Sequence, residues 1–207
     1  EAESARYFPK IGRRVTTIFI SEGETEYTAL DSKVIRRISR KNSGKSSGEE
    51  PVNIWLQKRF DIGLGPVLMQ YGGIVDTIEV SALFKDAARL YRDMIASMKA
   101  VEGVLEVSGH YSHFYREGAC LYVTFAGIPS DPMRYYQDTW DAAMDATLKN
   151  KGSISHHHGV GFWRMQYLER ELGASGVKIL ESIKTALDPY GVLNRGKLID
   201  GGRQKRD

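Results

Sequence analysis

All five histidines of this chain fall in two short stretches. His156, His157 and His158 are consecutive in Ser155-His-His-His-Gly-Val-Gly161. His110 and His113 lie in Gly109-His-Tyr-Ser-His-Phe-Tyr-Arg-Glu-Gly-Ala-Cys120. Imidazole titrates near neutrality, so it passes protons or ligates metal at little cost. The clustering invites the reading that both stretches line one site, and three uses compete for it. The histidines transfer protons or touch substrate. Alternatively they share a metal with a carboxylate, since imidazole suits zinc or iron. Or they form a polar structural cluster. In an extended segment neighbouring side chains alternate, so at most two of the three consecutive rings should face one pocket. Gly152 and Gly159 bracket the run and Gly161 follows, which lets backbone approach a ligand closely. A helix beginning just after Gly161 would aim its first N–H groups back at this turn, a favourable place for a carboxylate, phosphate or developing oxyanion.

In the other stretch, strand alternation would put His110, Ser112 and Phe114 on one side and Tyr111, His113 and Tyr115 on the other. Tyr115 sits at a turn, where its phenol either reaches a pocket as a general acid or base or simply packs over the turn. Cys120, in an apolar run, reads as a small buried hydrophobe.

The elements that must position these residues follow from periodicity. Val15 to Ser21 is β-branched and apolar and predicts a buried strand. Tyr27, Leu30, Val34 and Ile38 mark one face of a helix. The loop Asn42-Ser-Gly-Lys-Ser-Ser-Gly48 superficially resembles a phosphate-binding loop, but Ser39 stands where the first glycine is required and a helix precedes it. Nucleotide binding there is rejected. A helical piece surrounds Ile54-Trp55-Leu56, and Gly63-Leu-Gly-Pro66 breaks the chain. Gly73 to Val80 alternates as a half-buried strand, and Leu83, Ala87, Leu90, Met94 and Met98 make the face of a helix. Val104 to Phe114 and Ala119 to Ala126 predict a hairpin, with Gly118 supplying an unusual backbone angle. Asp131-Pro132 caps a helix to Lys149, and a last helix runs from Gly176 to Leu187 before Asp188-Pro189.

This order predicts an α+β fold: a largely antiparallel sheet with helices packed on one face, ferredoxin-like, followed by a C-terminal helical extension. The expected division is 1–150 for the α+β part and 151–207 for the histidine-bearing loop and final helices. There is no Gly-x-Gly-x-x-Gly after a strand, so a dinucleotide fold within this chain has no support.

The 207 residues, 42% hydrophobic and 27% charged, suffice for a folded core and exclude global disorder. The net charge of +3 comes from Arg36, Arg37, Arg40, Lys41 and Lys45, and from a basic tail of Arg203, Lys205 and Arg206. Nucleic acid is not an expected partner; weak attraction to a membrane surface is the most this charge suggests. A single cysteine excludes an internal disulfide framework. No apolar run spans a bilayer. A cytoplasmic chain is expected, or a peroxisomal one in a eukaryote. Beginning on Glu1 without Met, it reads as a piece of a longer protein.

Taken together, the Ser155 to Gly161 motif, the segment Tyr115-x-x-Gly-Ala-Cys-x-Tyr122 and Asp188-Pro-Tyr-Gly-Val-Leu-Asn194 resemble the alkyldihydroxyacetonephosphate synthase branch of the vanillyl-alcohol-oxidase type of FAD-linked oxidases. The resemblance runs from about Val15 to Ile199. It implies a cap over a flavin and C-terminal helices that return to an FAD-binding domain of the same protein, N-terminal to this chain. It implies FAD as cofactor and exchange of an acyl for an alkyl group through a flavin N5 adduct, in ether-lipid synthesis. It implies Tyr115, His156, His157 and His158 as catalytic residues; His110, His113 and Arg59 as substrate contacts; and Gly159, Gly161 and Asn194 as cofactor contacts. A small-molecule or lipid substrate is expected, and homodimers are compatible with it. Phe162 stands where the family often has lysine, and Gly65-Pro66 near its substrate arginine, which leaves Arg59 as the nearest candidate. A related flavin oxidase with another substrate is therefore kept beside this reading. A metal-assisted FAD-dependent 2-hydroxy-acid dehydrogenase and a non-catalytic ferredoxin-like binding module are the alternatives.

Overall fold

The computed structural model describes residues 16–61, 63 and 65–199. Val15 and the basic tail of Arg203, Lys205 and Arg206 lie outside the described residues. The chain forms two compact units that divide between residues 62 and 63.

In the first unit, α1 (Thr25–Lys41) forms where the apolar spacing predicts it, and α2 (Glu50–Lys58) contains the expected helical piece Ile54-Trp55-Leu56, with Pro51 in its first turn. Neither helix has a fully buried residue. Residues 16–21 form no strand, contrary to the expectation for Val15 to Ser21. High β-propensity describes fitness for a pleated, half-buried surface. Here Phe19 and Ile20 are exposed, so the propensity is unspent.

The second unit begins with a short helix, α3 (Gly65–Gln70), where the sequence suggested only a break. Then follow β1 (Ile74–Leu83), α4 (Phe84–Lys99), β2 (Val104–Ser112), β3 (Gly118–Gly127), α5 (Pro132–Lys149) and α6 (Met165–Leu187). The sheet order is β1-β3-β2, all neighbours antiparallel. β1, α4 and β2 leave one strand position open between them, and the hairpin returns β3 into it. The expected α+β architecture is present, with three strands in the sheet.

Alternation gives this sheet two different faces. Ile78 and Val80 of β1 pair with Val123 and Leu121 of β3 and meet Leu90, Met94 and Met98 of α4 and Ala143 and Met144 of α5 in one buried core. Burying each of the isoleucine, valine, leucine and methionine side chains contributes about 1.5–3 kcal/mol. Leu83, expected to open the α4 face, instead ends β1 and is half exposed. The opposite face is polar. Its cross-strand rows are Thr77–Thr124–Ser108, Glu79–Tyr122–His110 and Ser81–Cys120–Ser112.

Asp131 caps α5 by accepting from the Arg134 N–H at 3.1 Å, with Pro132 in the first turn, as the sequence indicates. After α5 the chain runs along the free edge of β1, where Ser153 exchanges hydrogen bonds with Ser81 at 2.8 and 3.2 Å. That contact covers part of an exposed strand edge. The two helices expected after Gly161 and from Gly176 are one helical element starting at Met165, interrupted at Gly173, where φ is 71° and ψ is 164°. Among the described residues, no helix is long and apolar enough to cross a membrane.

Candidate functional site

The polar face of the sheet carries the histidines. Strict alternation would turn His113 and Tyr115 toward the helices with Tyr111. Instead β2 ends at Ser112 and His113 adopts a left-handed backbone with φ of 48°. This reverses the side on which the following residues lie. The His113 ring comes within 5.1 and 4.9 Å of the His156 and His157 rings, centroid to centroid. The Tyr115 hydroxyl lies 2.8 Å from His156 Nε2. Gly118, expected to supply an unusual angle, has no positive φ and is needed for space: a Cβ there would stand 2.2 Å from the Ala82 carbonyl oxygen. That close approach seats the hairpin against β1, and the Tyr115 N–H donates to the Gly118 carbonyl at 2.8 Å.

The consecutive histidines do not alternate either, because their segment is not extended. It curls around the carboxylate of Glu79, which is fully buried. The N–H groups of His156, His157 and His158 donate to it at 2.5, 3.2 and 3.0 Å, and the Ser155 hydroxyl donates at 2.9 Å. Arg164 closes the set with a guanidinium nitrogen 3.2 Å from the carboxylate. Burial alone would push the Glu79 carboxyl up, but the N–H groups of His158 and His156, the Ser155 hydroxyl and Arg164 together hold it below the usual value. The N–H groups converging on an anion thus come from the histidine turn itself and not from the helix start after Gly161.

Every one of the three rings joins the cluster. The Nδ1 atoms of His156 and His157 are 2.9 Å apart. His157 stacks on Tyr122 at 6.1 Å and His158 meets Tyr122 edge-on at 5.6 Å. His110 stacks on the other side of the row, 5.3 Å from Tyr122. Desolvation first, and then the neighbouring His113, push the His110 pKa down. A cavity of roughly 370 Å³ opens beside the pair Tyr115–His156, with Lys151, Glu117, Ser153 and Ala82 also on its walls.

Gly159 and Gly161 have positive φ and open space where a side chain would be, so the turn presents bare backbone. The segment after α6 returns to this place: the Leu198 N–H donates to the Gly161 carbonyl at 2.9 Å, and Asn194, with φ of 43°, opens that return. Lys197 holds its ammonium 5.6 Å from the Phe162 ring centroid, so a cation stands beside that phenylalanine. Arg59 belongs to the first unit, where its guanidinium lies over Phe60 and Trp55.

One ligand atom from each of His113, Cys120, His156 and His157 falls within a 4.8 Å span, a donor set that suits a soft or borderline cation. Burial, and next the charge of Glu79, push the Cys120 thiol up. A metal bound there would have to displace the thiol proton.

Comparison with known proteins adds a lineage to this geometry. Residues 15–198 match the pattern of the FAD linked oxidases, C-terminal domain. The chain belongs to that family. It is 32% identical over 162 residues to the alkyldihydroxyacetonephosphate synthase of Trypanosoma brucei brucei, covering 73% of this chain and 26% of that protein. It is 28% identical over 185 residues to the enzyme of that name from Dictyostelium discoideum, covering 86% and 30%. A solved alkyldihydroxyacetonephosphate synthase shares the fold, with a TM-score of 0.56 at 22% identity, covering 81% of this chain and 29% of that one. The chain thus spans between a quarter and a third of the length of these relatives.

Sequence reasoning assigned no role to Glu79 or Arg164, nor to Tyr122 beyond its place at the end of a motif. Their signals were weak but present: a lone carboxylate inside Ile78-Glu79-Val80, a tyrosine between Leu121 and Val123, and an arginine within the apolar Phe162 to Met165.

Proposed function

We propose that this chain forms the substrate-facing wall of an FAD-dependent enzyme that exchanges an acyl for an alkyl group, the reaction that the sequence resemblance implies. The observation that carries the proposal is the 2.8 Å contact between the exposed Tyr115 phenol and His156 Nε2. In this reading residues 1–150 supply the cap, and 151–207 pack on an FAD-binding domain of the same protein. The residues present fit one side of a flavin: imidazole and phenol rings on an open wall, next to the bare backbone of Gly159 and Gly161. Gly159, Gly161 and Asn194 would touch the cofactor. When bound, FAD supplies an electron-accepting ring.

The chain's own part is proton management. As the Tyr115 oxygen takes a proton from the carbon beside a substrate carbonyl, its O–H hands its own to His156 Nε2. His157 holds the far nitrogen of His156, and His113 packs against both rings. His158 and His110 flank Tyr122 and line the substrate side. Arg59 is proposed as a further substrate contact. The Lys151 side of the cavity suits the anionic end of a small or lipid substrate, and a lipid substrate would bring the protein to a membrane surface, in the cytoplasm or the peroxisome. Dimer formation is compatible with this arrangement.

His156→Gln in the complete protein keeps an acceptor for the phenol but cannot take up its proton. Turnover per bound flavin is expected to fall about 10²–10⁴-fold, the range of general acid–base catalysis. Turnover equal to that of the unsubstituted protein would refute the assignment.

A further inference from the structure

Glu79 belongs to none of the motifs, yet the whole histidine turn closes on it. We propose that Glu79 is a positioning residue: its buried carboxylate, paired with Arg164, folds Ser155–His158 so that three consecutive imidazoles stand on one wall. This rests on the reading that the wall carries the chemistry.

Five donors converge on its two oxygens. Ser155 Oγ, the His158 N–H and Arg164 share Oε1, while the His156 and His157 N–H groups share Oε2. Consecutive N–H groups point in opposite directions in extended chain, and they converge only where the backbone curls into an anion-binding concavity. Removing the anion therefore removes the reason for the curl. The alternation that sequence reasoning expects would then return and turn one ring of the three away. The rings concerned are those that touch Tyr115, His113 and Tyr122.

Arg164 ties the same carboxylate to the core. It donates to the Glu79 carbonyl at 3.4 Å and to the Gly159 carbonyl at 2.8 Å, and its guanidinium lies 4.9 Å from the Trp140 ring centroid. The turn is thus held at both ends, at Ser155 and at Gly159. A second consequence concerns substrate. These three amides are already engaged by the protein's own anion and are closed to an incoming anionic group.

Breaking a buried ion pair from one side destabilises a protein, whereas replacing both partners is often neutral. The informative variant is therefore Glu79→Gln with Arg164→Met in the complete protein, read beside the single Glu79→Gln and the milder Ser155→Ala. The double variant is expected to melt near the unsubstituted protein and keep KM within about threefold. Its kcat should fall at least ~100-fold, as a misplacement of about 1 Å can cost. Amide exchange in the peptide spanning residues 155–159 should quicken at least ~10-fold while β3 is unchanged, as expected for a local opening. Ser155→Ala, which keeps the charge pair, should lower kcat about three- to tenfold.

A purely structural role predicts that kcat recovers with stability in the double variant, and that outcome overturns the proposal. So does unchanged exchange over 155–159. If the double variant does not fold, full kcat in Ser155→Ala overturns it as well. Tyr115→Phe separates the two claims. An inactive Tyr115→Phe beside a fully active double variant sinks only the role of Glu79; full turnover in Tyr115→Phe sinks the functional reading on which it rests.

Discussion

At the scale of single residues, the site depends on two departures from regular strand geometry. His113 takes a left-handed φ, and the histidine turn curls on Glu79; each brings rings together that alternation would separate. The identities of the rings were legible in the sequence, because histidine is scarce here and clustered. Their orientation was not. A carboxylate in an alternating strand reads as facing solvent, and nothing in Ile78-Glu79-Val80 announces that a loop 76 to 79 residues later will cover it. Gly118 shows the same limit: sequence assigned it a backbone angle, while the structure uses its missing side chain. Gly118→Ala is expected to destabilise the protein by about 1–3 kcal/mol, since the Ala82 carbonyl or the hairpin must move. It should also lower turnover by shifting Tyr115. Denaturant unfolding and a rate measurement on the same sample check both, and unchanged stability would contradict the close approach.

At the scale of elements, sequence periodicity located α4, α5, the hairpin and the long C-terminal helix, because each buries one face or carries a cap that sequence displays. It failed for residues 16–21, where propensity without a covering partner made no strand. It also divided α6 where Gly173 only interrupts it. Met94, fully buried between sheet and helices, should cost about 2–5 kcal/mol on truncation to Ala, read from unfolding midpoints. The turn after α6 is organised by Asp188, whose carboxyl is held at about 2 by Lys184 first and then by the N–H groups of Leu193 and Val192. A carboxyl with a depressed pKa stabilises the fold above its ordinary value of 3.8 and loses that contribution as pH falls through about 2. Amide protection over residues 188–199, taken relative to the intrinsic exchange rate at each pH, is therefore expected to fall between about pH 4 and pH 2, and Asp188→Asn should remove the transition. Glu79, also held below its usual value, adds a contribution of the same sign at the histidine turn. A turn that tightened on acidification would contradict both assignments.

At the scale of the whole molecule, the chain is a family domain with one apolar and one polar sheet face. The apolar face is closed by α4 and α5; the polar face bears the imidazoles, Tyr115 and Tyr122. The chain belongs to the FAD linked oxidases, C-terminal domain, and its wall of imidazole and phenol groups is proposed as half of a site. The other half is proposed to be a flavin on its own domain. The complete protein should therefore purify yellow, and its Tyr115→Phe variant should bind as much flavin as the parent. The most direct measurement is turnover of Tyr115→Phe per mole of bound flavin. A fall of about 10²–10⁴-fold at unchanged flavin content and unchanged melting temperature is expected. Full turnover in that variant, or a complete protein that carries no flavin, would contradict the proposed function.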